Sequence, residues 1–416
     1  MAIEAPRRHG PSDSRSIGAR RLEFVERLTA TTQHYDWGDE HFIAELQRRA
    51  PSGQPEAELW MGAHPQAPAF AAETGRPLHD VIAADPQSAL GAAVAERFGE
   101  LPFLAKVLAA AQPLSIQAHP SVAQAAAGFE RENAAGVALD SPRRIYRDPN
   151  HKPELICALT PFEAKCGFRS LDASRELFAA LGGDALAPMR ERLAVDGRAS
   201  DVLADVLAWL LRSRDGSGAE LADAVVSAAA SAPAGGPYDR DLQWTGEIAR
   251  IHPGDVGVVI ALLLNHVVLQ PGEAVFLGAG NLHAYLRGAG IELMANSDNV
   301  IRGGLTSKHV DVEELIDVVD CTPIDPPVQR ATGCLHTFDA PVPEFSLTRV
   351  AVADDVRLRL QGPEILIVTE GIVEFVTQSG HEVAAEPGEP VWVPASDGCY
   401  LARGGGVFYR AAVGRI

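Results

Sequence analysis

The sequence predicts a mainly β protein with a helical insertion, and three observations carry that reading. The stretch from Gln270 to Lys308 (QPGEAVFLGAGNLHAYLRGAGIELMANSDNVIRGGLTSK) runs from a Pro-Gly turn into a short apolar run. It then returns polar side chains on alternate positions, His283 and Tyr285 among them. That pattern describes strands lining a cavity, because alternate strand residues share a face. Residues 169–232 change character: they are rich in Ala and Leu, with helical spacing at Leu203, Val206, Leu207 and Leu210. From about Phe345 onward the chain breaks into short strands with Gly and Pro turns, which suggests a small sandwich or barrel. An internal echo links the β regions. PGEAVFLGAGNLHAYLRG (271–288) resembles PGEPVWVPASDGCYLARG (387–404), with His283 opposite Cys399 and Tyr285 opposite Leu401. Two copies of one barrel unit, or a chance match around a common Pro-Gly-Glu turn, both produce such an echo.

Taken in order, residues 1–22 are Arg-rich with Pro, Gly and Ser, and lack the apolar core of a secretory signal. They read as a disordered arm, with an organelle-targeting peptide as the competing reading. Residues 23–70 hold a strand ending in an aromatic turn (Tyr35 to Gly38), then Trp60 and His64 beside Gly62 and Pro65. Aromatics beside glycine turns line sugar sites, but such residues are more often core. Leu101 to Leu108 is a buried-strand pattern. In Pro113 to Pro120, Ser115, Gln117 and His119 alternate with Leu114, Ile116 and Ala118, so the polar residues share one face. That face is either a solvated sheet surface or an inward polar wall. Pro149 and Pro153 disfavour a helix before Glu154, which opens the apolar run Leu155 to Leu159. Glu154 is then a solvated strand end or a ligand aimed into a cavity. The segment Pro233 to Pro237 is a linker. Asp311 to Glu314 resembles a capping box ahead of an apolar stripe at Val312, Leu315, Ile316 and Val319.

Composition narrows the class. At 416 residues the chain exceeds one ordinary core. No uninterrupted apolar run is long enough to span a bilayer. A net charge of −19 argues against nucleic acid as partner, although a local cluster of Lys and Arg can still hold a small phosphate. Five scattered cysteines without a CxxC pair fit a reducing compartment, so the cytoplasm is expected.

The polar residues that local structure could aim to one side are Gln117, His119, Glu154 and His283. Two imidazoles, a carboxylate and an amide oxygen make a credible zinc set, although carboxamide is an unusual ligand. A lone strand histidine is more often a hydrogen-bonded core residue.

Six segments carry a resemblance: Tyr35 to Gly38 (YDWG), Glu58 to Pro65 (ELWMGAHP), Ser115 to Pro120 (SIQAHP), Asp148 to Leu155 (DPNHKPEL), Gly272 to Leu286 and Asn296 to Thr306 (NSDNVIRGGLT). In this order the chain is similar to the type I mannose-6-phosphate isomerases, across most of residues 23–322. The resemblance implies a zinc-dependent aldose–ketose isomerase of the cupin type, with two cupin-like jelly-roll β-barrel units plus an α-helical domain. It would interconvert D-mannose 6-phosphate and D-fructose 6-phosphate through a metal-assisted enediol or enediolate, with one Zn2+ per chain. Matching motifs carry over Gln117, His119, Glu154 and His283 as metal ligands and Arg302 as the active-site arginine. Glu292 is the first candidate for the proton-transfer base, with Lys152, Tyr285 and Asp298 as possible partners. Ser115, Lys152, Arg302 and Lys308 are candidate phosphate contacts. For Asp298 the competing role is turn capping, and for Tyr285 a wall aromatic. The expected division is a catalytic cupin-like domain at 23–168 and 238–330, the helical insertion at 169–237, and a degenerate cupin-like β domain at 331–416. A monomer acting on a small sugar phosphate is expected, without nucleic acid or membrane. The competing readings are a non-catalytic cupin that binds sugar phosphate and an iron-dependent cupin oxygenase. The Gln ligand fits the oxygenase poorly.

Overall fold

The computed structural model describes residues 25–213 and 216–416, so the expected arm at 1–22 lies outside the described residues. The chain forms two antiparallel sheets, with a helical region inserted in sequence between strands Phe162–Phe168 and Leu264–Leu269 of the larger one. One sheet has eleven strands and the other nine. None of the helices among the described residues is long and apolar enough to cross a membrane.

The long strand His283–Ala295 organises the larger sheet. It pairs with Phe103–Ala110, Glu154–Ala158, Phe162–Phe168 and, at His283, with Ile116–Ala118. Strict alternation would place His283 and Glu292 on opposite faces, since their numbers differ in parity. A bulge between Tyr285 and Arg287 shifts the phase. Before it, Ala284 and Leu286 pack into the helical core; after it, Ala289, Ile291 and Leu293 join the layer between the sheets. His283, Tyr285 and Glu292 are thereby left facing the same interior.

The sheets pack on each other through side chains from both. Leu59, Phe103, Leu155 and Ile291 of the larger sheet share one core with Leu347, Ile365, Trp392 and Tyr409 of the smaller. The first strand, Glu26–Thr29, pairs with Val391 and Trp392 of the C-terminal sheet. Thr31–Gln33 then pairs with Glu58–Trp60 in the other, so the chain crosses between sheets at Ala30. The echo has a structural counterpart. Each copy is a Pro-Gly turn, a short strand (Glu273–Leu277 or Pro390–Val393) and a long strand beginning at His283 or Cys399.

Helix Ala199–Arg212 buries Val202, Leu203, Val206, Leu207, Leu210 and Leu211, the stripe its spacing predicts. Each such side chain contributes about 1.5–3 kcal/mol on burial, which fastens the helices to the back of the strand carrying His283. The helical region continues past the 233–237 linker, with helices Asp239–Ile251 and Gly257–Leu263. Trp244 and Ile248 dock the first of these, and Gly257–Leu263 is buried throughout, so its uniform apolarity concealed a helical period. Asp311 caps helix Val312–Val318 by accepting from Glu314 N at 3.1 Å. Only this half of the expected capping box forms, because the Glu314 carboxylate instead receives Arg131 and the Tyr146 hydroxyl.

Candidate metal centre and active site

His119, Glu154 and His283 come from three different strand regions and converge. Their ligand atoms lie within 4.8 Å of one another, and all three side chains are buried. Ile116 and Ala118 are wholly buried in the helical core, so the alternating face carrying Gln117 and His119 turns inward as a polar wall. Glu154 Oε1 lies 3.2 Å from His119 Nε2, and Glu154 Oε2 lies 3.4 Å from His283 Nε2.

The hydrogen bonds made on the far side of each ring orient both imidazoles. His119 Nδ1 donates to the Asn299 carbonyl at 2.8 Å, and His283 Nδ1 donates to the Asn281 carbonyl at 3.0 Å. Each assignment leaves the Nε2 lone pair facing the shared centre. His119 Nε2 and Glu154 Oε2 are buried without a hydrogen-bond partner despite the short separations. Burying such an atom unsatisfied costs about 1–3 kcal/mol, so the donor set fits a cation at the point where the lone pairs meet. Protonation states agree with this. Burial pushes His119 down to about 4. Burial alone would raise Glu154, but Lys152 and His119 hold it well below the usual carboxylate range. Neutral imidazole and ionised carboxylate are the forms that bind zinc. Gln117 places its amide Nε2 3.4 Å from His283 Nε2. Counting it as a ligand requires the carboxamide turned over, an orientation related to the present one by exchange of N and O.

Around this centre lie four more buried charged groups, Lys152, Lys106, Glu58 and Glu292. Lys152 Nζ is 3.2 Å from Glu154 Oε1. Glu292 is not a free carboxylate: Lys106 Nζ lies 3.1 Å from Glu292 Oε2 and 3.2 Å from Glu58 Oε1. Burial raises the Glu292 carboxyl, against the pull of Lys106. Glu58 also accepts from Trp60 Nε1 at 2.7 Å, while Lys106 sits over the Trp60 ring. Tyr285 is buried against Phe162, and burial followed by the Glu292 and Glu154 charges pushes its phenol well above its ordinary value. Three buried carboxylates thus face two ammonium groups, an imbalance that a divalent cation would reverse.

On the outer side, Arg302 lies opposite Gln117 in the sheet register. Arg302 is depressed by burial and then by Arg147, and Lys308 by burial and then by Arg302 and Arg147. Among the described residues none of these three cations has an ion-pair partner. Ser115 is half-buried at the start of the strand Ile116–Ala118. Asp298 lies 3.4 Å from His64 Nε2.

Sequence reasoning passed over Lys106, Glu58, Asn299 and Arg147. A lone lysine inside the apolar run Leu101 to Leu108 was the available signal for Lys106. Asn299, fully buried, holds the 147–150 loop through its side chain while its carbonyl orients His119. Nothing in local pattern marks it.

Fold and donor set together define a divalent-metal centre between strands of one antiparallel sheet, with Arg302 in register with Gln117 beside it. Residues 25–171 match the family description "Phosphomannose isomerase type I, catalytic domain". The chain is 39% identical over 399 residues to the mannose-6-phosphate isomerase of Escherichia coli (strain K12), covering 93% of this chain and 99% of that protein. It is 33% identical to the mannose-6-phosphate isomerase of Macaca fascicularis, covering 92% and 93%. A zinc-bound crystal structure of a mannose 6-phosphate isomerase superposes with a TM-score of 0.86 at 37% identity, covering 94% of this chain and all (100%) of that one. The apo form from Salmonella typhimurium superposes at 0.85 and 37% identity, covering 94% and 99%. The chain belongs to the type I phosphomannose isomerase family.

Proposed function

We infer that the chain works as a mannose-6-phosphate isomerase, interconverting D-mannose 6-phosphate and D-fructose 6-phosphate. The observation that carries this is the buried His119–Glu154–His283 centre with its orphaned lone pairs, in a chain that matches isomerases over nearly their whole length. Gln117, His119, Glu154 and His283 would hold one Zn2+. A zinc ion bound there would supply Lewis-acid charge to the carbonyl and hydroxyl oxygens of the open-chain sugar.

The reaction moves a carbonyl between C1 and C2. A base takes the C2 proton of the aldose, the C–H electrons form the C1–C2 double bond, and the carbonyl oxygen accepts a proton. Loss of the O2 proton and return of a proton to C1 complete the ketose. Glu292 is the proposed base. Its carboxyl is raised toward the working range by burial, while Lys106 at 3.1 Å favours the ionised form. Lys152 is proposed to steady the oxygen that gains charge, with the buried, unpartnered Tyr285 hydroxyl as a second donor. Arg302 offers a planar fork to intermediate or phosphate oxygens. Ser115, Asp298 and Lys308 are the proposed remaining substrate contacts, Lys308 toward phosphate.

We further propose two cupin-like jelly-roll units, the catalytic one drawing on 23–168 and 238–330 and the C-terminal one on 331–416, with the helical insertion at 169–237 extended to residue 263 by helices Asp239–Ile251 and Gly257–Leu263. The matched Pro-Gly-strand-strand units at His283 and Cys399 support this reading. The His119–Glu154–His283 cluster converges within one chain, so the proposed monomer needs no second copy to hold the metal. Five free cysteines, four of them buried, support a reducing cytoplasm. The test is a coupled assay for fructose 6-phosphate formed from mannose 6-phosphate, before and after chelation. Turnover that chelation removes and Zn2+ restores is expected; no turnover with metal restored overturns the reading.

A further inference from the structure

The segment after Glu58–Met61 carries His64 and Gln66, which the proposed chemistry leaves unused. His64 is buried, and its ring stands edge-on to Trp60 with centroids 5.0 Å apart. The Gln66 backbone N–H donates to His64 Nδ1 at 3.3 Å. Nδ1 is therefore the acceptor and Nε2 carries the proton. Nε2 lies 3.4 Å from Asp298 Oδ1 and, against burial, its hydrogen bond helps to hold that carboxyl below its ordinary value, while Gln66 Nε2 donates to Asp298 Oδ2 at 3.2 Å. Asp298 N donates to Asp148 Oδ2 at 2.8 Å, which fixes the backbone behind the carboxylate. Each oxygen of Asp298 thus has its own donor, one from a buried ring. The carboxylate itself keeps 30% of its side-chain surface exposed. The other charges acting on it are Lys152 and Arg147, which favour ionisation, and Asp148, which opposes it. Lys152 ties this neighbourhood to the metal centre through Glu154.

We propose that His64 is a positioning residue that, together with Gln66, holds the Asp298 carboxylate in one orientation as the acceptor for a hydroxyl of the sugar phosphate. The proposal rests on the isomerase reading for the identity of the sugar. A carboxylate free to rotate would have to be ordered by each incoming substrate; two fixed donors order it beforehand and leave its remaining lone pairs for a sugar O–H. Packing against Trp60 alone would require only the shape of the ring. Orienting Asp298 requires the Nε2–H.

The two requirements separate in a pair of variants of the zinc-loaded full chain. His64→Phe keeps ring shape and removes the donor, whereas His64→Gln gives up ring shape and places an amide N–H near the Nε2 position. Expected for H64F is a rise in KM for mannose 6-phosphate of about tenfold with kcat changed much less. The acid limb of kcat/KM moves to higher pH, because loss of the donor raises the pH at which Asp298 ionises. Expected for H64Q is a KM within about twofold of the parent and an unmoved limb. A wild-type KM and limb in H64F, or an H64Q as impaired as H64F, overturns the proposal. If H64F melts early or loses zinc, Gln66→Leu carries the test from the exposed side, and an unchanged KM overturns it. Calorimetric titration with the non-isomerising hexitol 6-phosphate reads the same comparison without turnover. A parent chain that binds this hexitol but does not isomerise overturns the isomerase reading while leaving His64 testable. A parent that does not bind it overturns both.

Discussion

Lys106 is the most exacting place to test the electrostatics of the site. Its ammonium group lies 3.1 Å from Glu292 and 3.2 Å from Glu58, and all three side chains are at least nine-tenths buried. Lys106→Met keeps length and apolar volume but leaves two carboxylates without their cation. Removing one partner of a buried ion pair costs about 3–5 kcal/mol, and the same range is expected here at pH 8. The loss depends on pH in a defined direction. Glu292 is already raised by burial, and losing Lys106 raises it further, so its folded value stands above its unfolded one. A carboxyl raised on folding contributes stability below its unfolded value, and that stability is lost as pH rises through the folded value. Between those limits, each unit of pH lowered should recover about 1.4 kcal/mol of the variant's stability. Urea unfolding of the zinc-loaded parent and variant at pH 8 and pH 5.5 measures this. Adding Glu292→Gln to the variant should restore part of the stability by removing one unpaired charge, without restoring turnover. A K106M loss below about 1 kcal/mol at pH 8, or a loss identical at both pH values, would refute the assignment of Lys106 as the charge that holds these carboxylates.

Further outcomes follow from the same geometry. His283→Ala should abolish both stoichiometric zinc and activity; elemental analysis showing a full complement of zinc with full turnover would remove His283 from the ligand set. Chelation should lower stability as well as activity, by about 4 kcal/mol relative to zinc held at 1,000 times its dissociation constant, read as a concentration-dependent melting temperature. Arg302→Lys retains charge but loses the planar fork, so kcat/KM should fall at least about tenfold with zinc content unchanged. At the helical region, burial would raise Glu163, but Arg240, Trp244 and His266 hold it down at about 2. A carboxylate depressed on folding contributes stability above its unfolded value that is lost as pH falls toward the folded one. Glu163→Gln should therefore flatten acid unfolding between about pH 4.5 and 2, followed by circular dichroism.

Much of the site was legible because strand alternation is a local rule. Ser115, Gln117 and His119 share a face by spacing alone, and Leu203, Val206, Leu207 and Leu210 share a stripe for the same reason. The helical region past Pro237 was harder to see, because Gly257–Leu263 is buried throughout and its composition carries no period. Asn299 left no signal, since its role depends on the loop and the histidine it meets, both remote in sequence.

By itself, then, the sequence determined which residue types stand ready: a polar alternating face, a carboxylate at a strand mouth, a histidine after a glycine turn, and motifs specific enough to name the family. Tertiary structure decided what those residues are to one another. The bulge after Tyr285 brings Glu292 round to the side of His283, against the parity of their numbers. The register of Phe103–Ala110 then sets Lys106 directly opposite Glu292, turning a free candidate base into a paired one. Both are long-range pairings, the bulge against the strand Phe162–Phe168 and Lys106 against Glu292 at a separation of 186 residues, and periodicity within a segment carries no information about them.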